Sequence, residues 1–135
     1  MSITRIFDVA GSAMRAQSQR LNAVASNLAN ADSVAGPDGK AYRAKQVVFQ
    51  ATPVAGGAAQ GVSVSTVQED QSPLRRQYDP RHPMADAQGY VSFSNVNPVE
   101  EMVNMISASR SYQNNVEVSN TARQLLMRTI ELIRS

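Results

Sequence analysis

The sequence predicts a mainly α fold with a small β-containing middle. Long N- and C-terminal helices form a coiled-coil-like pair, with short strands, a hairpin and loops between them. Three observations carry this. An apolar repeat of 3.5 residues runs through the first thirty positions. No proline or glycine follows Pro98. Between the two helical stretches, prolines, glycines and alternating Val/Ser pairs rule out a long helix.

The first helix is read over residues 3–31. Ile3, Ala10, Gln17, Val24 and Ala31 share one heptad position, and Phe7, Met14, Leu21 and Leu28 share the other. Gln17 is the one polar member. Arg5, Asp8, Ser12, Arg15, Gln19, Arg20 and Asn22 lie between them, as expected of the solvated side of a seam. Such a helix is roughly 40 Å long at 1.5 Å per residue. Ser2 and Thr4 are the candidate caps at its start.

The second helix opens with Asn97-Pro98-Val99-Glu100: an asparagine N-cap, proline at the first helical position and glutamate at the third. Glu100 and Glu101 sit at the positive end of the helix dipole, and Arg123, Arg128 and Arg134 near the negative end. Its apolar line runs Val99, Met102, Val103, Ile106, Val116, Leu126, Met127, Ile130 and Ile133. Its middle is polar: Ser107, Ser109, Ser111, Gln113, Asn114, Asn115, Ser119, Asn120 and Thr121 leave Tyr112, Val116 and Val118 as the sizeable apolar residues there. Neither helix carries a full apolar collar, so each needs a packing partner.

The middle, residues 34–96, opens on the turn Gly36-Pro37-Asp38-Gly39. Residues 41–50 hold a strand through Val47, Val48 and Phe49. Small residues from Ala55 to Gly61 make a hairpin tip, and Val62 and Val64 alternate with serines in a second strand. Val67 breaks that alternation, which marks a bulge or a strand end. Pro73, Pro80 and Pro83 exclude helix over 73–83. Tyr90 to Ser94 read as a short last strand, for a total of at most four.

Composition excludes several functions. A net charge of +2 with dispersed arginines, the densest group being Arg75, Arg76 and Arg81, gives no basic stripe for nucleic acid. With no cysteine there is no disulfide, thiolate nucleophile or zinc–thiolate site. No apolar run approaches the roughly 20 residues of a membrane span. Asp8 and Arg15 interrupt the start, so it does not read as a secretory signal. The expectation is a cytoplasmic protein, or one that leaves by a route without a cleaved signal. His82, the single histidine, lies between Asp79 and Asp86 in a loop with prolines on either side. Paired with one of them it would be a base or metal ligand; alone it is a loop residue. No phosphate loop or nucleophile elbow accompanies it, so neither enzyme nor cofactor is expected.

Asn27, Asn30 and Asp32 close the first helix. Asparagine near a helix end satisfies orphan carbonyls or caps the turn. Placed on a seam, it makes polar contacts across a helix–helix or subunit boundary and fixes register. Both readings stand on sequence alone.

The stretches AGSAMRAQSQRLNAVASNLANADS (10–33), GPDGKAYRAKQVVFQ (36–50) and YDPRHPMADAQGYVSFSNVNPVEEMVNMISASRSYQNNVEVSNTA (78–122) resemble the bacterial flagellar axial proteins, the rod, hook and hook-associated subunits. Among these, the similarity is to the proximal rod proteins. Ser94, Asn115 and Ser119 depart from the family's usual Pro, Ala and apolar residues. The resemblance implies a structural subunit of the flagellar basal-body rod, a tubular drive shaft that transmits torque from motor to hook. It implies that residues 1–33 and 97–135 form the inner-tube domain and that 34–96 lie outside. It implies assembly through the seams: Ile3, Phe7, Ala10, Met14, Gln17, Leu21, Val24 and Leu28 on one helix, and Val99, Met102, Val103, Ile106, Val116, Met127 and Ile130 on the other. Asn27, Asn30, Asp32, Asn95, Asn97, Tyr112, Gln113 and Asn120 are its signature polar positions. The implied partners are further copies, other rod proteins, nearby ring proteins and the flagellar type III export apparatus, in the periplasmic space. The alternative is a soluble coiled-coil adaptor or export chaperone that uses the same seams.

Overall fold

The computed structural model describes residues 3–54 and 56–135. Six elements follow in order: α1 (Ile3–Ala29), β1 (Lys45–Pro53), β2 (Gln60–Glu69), β3 (Arg76–Tyr78), β4 (Tyr90–Ser92) and α2 (Pro98–Arg134). The two helices pack against each other, and the β1–β2 hairpin lies on α1, so α1 is held between α2 and the hairpin. The expected helical pair with a small β middle is the observed architecture.

α1 stops two residues earlier than the heptad pattern suggests. Asn30 and the following turn take over the last carbonyls, with the Asn30 N–H on Ser26 O at 3.1 Å and the Ser33 N–H on Asn30 O at 3.1 Å. At the other end Thr4 lies inside the helix and does not cap it; Ser2 falls outside the described residues. α2 begins as its sequence dictates. The Asn97 side chain accepts from Val99 N and Glu100 N, Pro98 fills the first turn without a missing donor, and nothing interrupts the helix over its 37 residues.

The hairpin shows why Val67 is out of step. The antiparallel register pairs Val47 with Val67, Val48 with Thr66, Phe49 with Val64 and Ala51 with Val62, with an irregularity between Val48 and Phe49. Ser65 is the extra residue. Directly opposed residues share a face, so the bulge returns Val67 to the face of Val64 and Val62, opposite Val47, Phe49 and Ala51. A one-residue insertion thus keeps six apolar side chains together despite the broken alternation. β1 also runs on to Pro53, beyond the expected end of the strand.

Two contacts seat this hairpin on α1. Ser12 Oγ donates to Val9 O (2.7 Å) and accepts the Val62 N–H (3.0 Å). Near the tip, the Arg5 guanidinium donates to Gly56 O. Gly61 makes the approach possible, because a Cβ there would stand 2.7 Å from Ser12 Oγ and 3.1 Å from Val54. Gly61→Ala should lift the hairpin from the helix at a cost of about 1–3 kcal/mol. Urea unfolding reads the loss, and amide exchange at Val62 should accelerate more than exchange along α1.

β3 and β4 form a separate two-stranded sheet, Arg76 with Ser92 and Tyr78 with Tyr90. β3 is the strand with no sequence signal: three residues among prolines, fixed only by its partner. Gly89, at φ 86°, lets the Tyr78 ring lie over the turn, where a Cβ would meet it at 2.8 Å.

The core is shallow. The buried apolar residues are Ala10, Ala16, Val24, Ala31, Ala35, Ala44, Ala59, Val91, Val96, Ala108 and Ala122, so none among the described residues is larger than valine. Leu, Ile and Met side chains, each worth about 1.5–3 kcal/mol when fully buried, stand partly or wholly outside. Of the expected α1 seam, Ala10, Val24 and Ala31 are buried, while Ile3, Phe7, Met14, Leu21 and Leu28 are half-buried. The Gln17 side-chain oxygen is enclosed with no hydrogen-bond partner among the described residues. The larger difference is on α2. Most of its apolar line is exposed in the single chain, with Val116 half-buried. The helix instead turns Glu101, Ala108 and Ala122 inward, with Asn104, Ser111 and Asn115 half-buried beside them. Small side chains allow close helix approach, and the sequence pattern of large apolar residues cannot locate such a face.

Candidate functional site

Two features stand out: a polar junction where α1, β1 and α2 meet, and the outer face of α2.

Asn27 is the centre of the junction and is 1% exposed. Its Oδ1 accepts the Tyr42 hydroxyl (2.8 Å) and the Lys45 N–H (2.9 Å). Its Nδ2 donates to Lys45 O (2.9 Å) and to Glu101 Oε2 (3.0 Å). An asparagine amide offers two donors and two acceptor positions, and all four are used. One side chain therefore joins the last turn of α1, the start of β1 and the first turn of α2. Ser26 Oγ adds a 2.9 Å bond to the Tyr42 hydroxyl. A small apolar cluster of Ala31, Ala44 and Val96, with Tyr42 packed against it, closes the junction.

Asn30 does the local work of a cap. Its Nδ2 donates to Ser26 O (2.9 Å) and its Oδ1 accepts from Ser33 Oγ (3.1 Å). Asp32 meets Arg75 at 3.1 Å, an exposed pair that contributes little. Asn95 bridges two loops: its Oδ1 accepts the Ala44 N–H (2.8 Å), and its Nδ2 donates to Asp70 O (2.9 Å) and Ser72 O (3.1 Å). Asn27 and Asn95 thus bind backbone far away in sequence, and Asn30 and Asn97 bind backbone nearby. Ser94 donates its N–H to Ser33 O (3.2 Å) and accepts the Val96 N–H on Oγ (3.0 Å).

The sequence missed two members of this junction. Glu101 reads as a charge at the positive end of the helix dipole, yet it is buried and bonded to Asn27 within the chain. Tyr42 gives no signal beyond being one of few aromatics. Their roles depend on a pairing across 74 positions in the first case and 15 in the second, which local pattern does not carry.

On the outer face of α2, Val99, Met102, Val103 and Ile106 form one stripe at spacings of three, one and three. Val103 is 60% exposed and Ile106 55%. Toward the C-terminus Leu125, Met127, Ile130, Leu132 and Ile133 are exposed as well. Val116 is half-buried between these patches, while Gln113 and Asn120 face outward. Tyr112 sits beside a depression lined by Gly11, Met14, Arg15, Ser18 and Gln19. Together they give α2 a more extensive exposed apolar surface than singly scattered apolar residues would.

The loop around His82 is structural in its contacts. His82 Nδ1 accepts the Met84 N–H at 3.0 Å. Asp86, beyond it, accepts from Gln88 N, Tyr90 N and Arg76, and these bonds, the Tyr90 one first, hold its carboxyl below the ordinary range. No group of acidic or histidine side chains among the described residues is arranged to hold a metal. No helix among them is long and apolar enough to cross a membrane.

Comparison with known proteins agrees with this geometry. The family described as "Flagella basal body rod protein" matches residues 7–37, and "Flagellar basal body rod FlgEFG protein C-terminal" matches residues 87–132. The first spans Asn27, Asn30 and Asp32; the second spans Asn95, Asn97 and most of α2. The chain is 59% identical over 132 residues to the flagellar basal-body rod protein FlgC of Escherichia coli O157:H7, covering 98% of both. It is 58% identical to FlgC of Salmonella typhimurium over the same length and coverage. With FlgC of Buchnera aphidicola from Acyrthosiphon pisum the identity is 51% over 134 residues, again at 98% of each. The chain belongs to the FlgC family of flagellar basal-body rod proteins, structural subunits of the flagellar rod.

Proposed function

We propose that this rod subunit builds the proximal part of the rod and that its role is purely mechanical, with no reaction and no cofactor. Residues 1–33 and 97–135 contribute to an inner helical tube, and 34–96 lie outside it. Neighbouring copies and other rod proteins cover the apolar faces of the terminal helices, and nearby ring proteins surround them. Torque then passes from motor to hook through packed helices. The observation that carries this reading is the outer face of α2, where Val99, Met102, Val103 and Ile106 stand open in the single chain. A head-to-tail arrangement that repeats such contacts grows as a helical assembly.

Delivery by the flagellar type III export apparatus to the periplasmic space fits the shallow core. A chain whose buried apolar residues are alanines and valines has little packing to undo before passing a narrow channel. The junction around Asn27 gives the other mechanical requirement, a tie between the tube-forming helices and the outer region.

Basal bodies isolated from cells that make no hook test the proximal placement. The chain should be present in them in the same amount per particle as in complete flagella. Its absence from hookless particles would place it elsewhere along the shaft.

A further inference from the structure

The hydrophobic effect alone would turn α2 the other way. At 100° per residue, Glu101, Ala108, Asn115 and Ala122 lie on one side of the helix. Val99, Met102, Val103 and Ile106 lie about 100–200° around from Glu101, on the other side. Rotating α2 by half a turn would bury the larger apolar residues against α1 and release alanines, a serine and an asparagine to water. The chain adopts the opposite arrangement, with Ala108 at 0% exposure and Ile106 at 55%.

We infer that the Asn27–Glu101 hydrogen bond sets the rotation of α2 and holds its apolar stripe outward. Glu101 is in the first turn, where a small change of direction rotates the whole helix. Asn95 and Val96 fix where the helix starts, through Ala44 N and the apolar cluster around Ala44. They leave open which face turns inward. Glu101 decides this, because its carboxylate accepts from an Asn27 amide that is itself fixed by Lys45 and Tyr42. In the alternative rotation the Asn27 donor would face an apolar side chain and be left unpaired. Glu101 is thus a positioning residue. It shapes the assembly surface from the opposite side of the helix. The purpose of an outward stripe rests on the rod reading; the rotation itself does not.

The absence of native cysteine makes the test direct. Single cysteines are placed in the full chain at Val103, on the stripe, and at Ser111, on the inward side, and their maleimide labelling rates are compared. With Glu101 present, Cys at 103 should react at least about tenfold faster than Cys at 111. Glu101→Gln keeps an oxygen acceptor for Asn27 and should keep that ratio. Glu101→Ala should bring the ratio to one or below while circular dichroism shows the helical content retained. An unchanged ratio in Glu101→Ala would overturn the inference. So would loss of helix in that variant, since the bond would then hold the fold and not the face. Equal rates with Glu101 present would also overturn it, because no face would be selected. The labelling ratio tests the rotation alone; the rod reading is scored separately, by the presence of the unaltered chain in basal bodies.

Discussion

Asn27→Ala destabilises the chain by about 3–5 kcal/mol, at the upper end of what one substitution does. The variant removes four hydrogen bonds at once. It leaves the Lys45 N–H and C=O and the Glu101 carboxylate in a closed junction without this partner, and the Tyr42 hydroxyl with Ser26 Oγ alone. Each unsatisfied buried group costs about 1–3 kcal/mol, less where water can enter. Asn30→Ala, only three residues along, loses local bonds to Ser26 and Ser33 and should cost about 1 kcal/mol. Urea denaturation of the two variants makes the comparison. Equal, small shifts would return Asn27 to the status of a helix cap. Because the junction ties the start of β1 to both helices, Asn27→Ala should also abolish rod assembly in cells, and Asn30→Ala should not.

The difference between these two asparagines was not legible in the sequence. Both close a helix, and both belong to the same polar run. What separates them is where the chain returns. Lys45 and Glu101 come back beside Asn27 because α1 and α2 pack antiparallel and β1 starts in the angle between them. The helices themselves were legible, from the heptad over Ile3–Leu28 and from Asn97-Pro98 with its uninterrupted run. The hairpin was legible from small residues between alternating valines. β3 was not, since three exposed residues gain their extended shape from pairing with β4. The inward face of α2 was not either: alanine, serine and asparagine carry no hydrophobic signature, and the pattern pointed to the large side chains on the other side. That stripe is an exposed surface of the chain, which is why its periodicity does not locate the inward face.

Ile106→Asp should leave the isolated chain within about 0.5 kcal/mol of its normal stability, since the site is exposed. In the rod the same carboxylate would be enclosed among apolar side chains without a partner, at a cost of several kcal/mol. Every 1.4 kcal/mol is a factor of ten in association. Incorporation into basal bodies should therefore fall at least about a hundredfold, with motility lost. Leu21→Asp should also block assembly, but Leu21 is half-buried in the chain itself, so its effect mixes folding with association. Arg75→Glu, which removes an exposed pair with Asp32 and a stacking contact on the Phe93 ring, is the control and should remain motile. Equal loss for Ile106→Asp and Arg75→Glu would show that the stripe is not the surface used.

The most direct measurement is a cryo-EM reconstruction of the intact basal body that resolves side chains in the rod. In the single chain Val103, Ile106, Met127 and Ile130 are 60%, 55%, 53% and 45% exposed. In the rod all four should be enclosed by helices of neighbouring subunits, with the Asn27–Glu101 bond intact behind them. A map in which these side chains remain open to solvent, or in which α2 is rotated so that they face α1 of the same chain, would contradict the account.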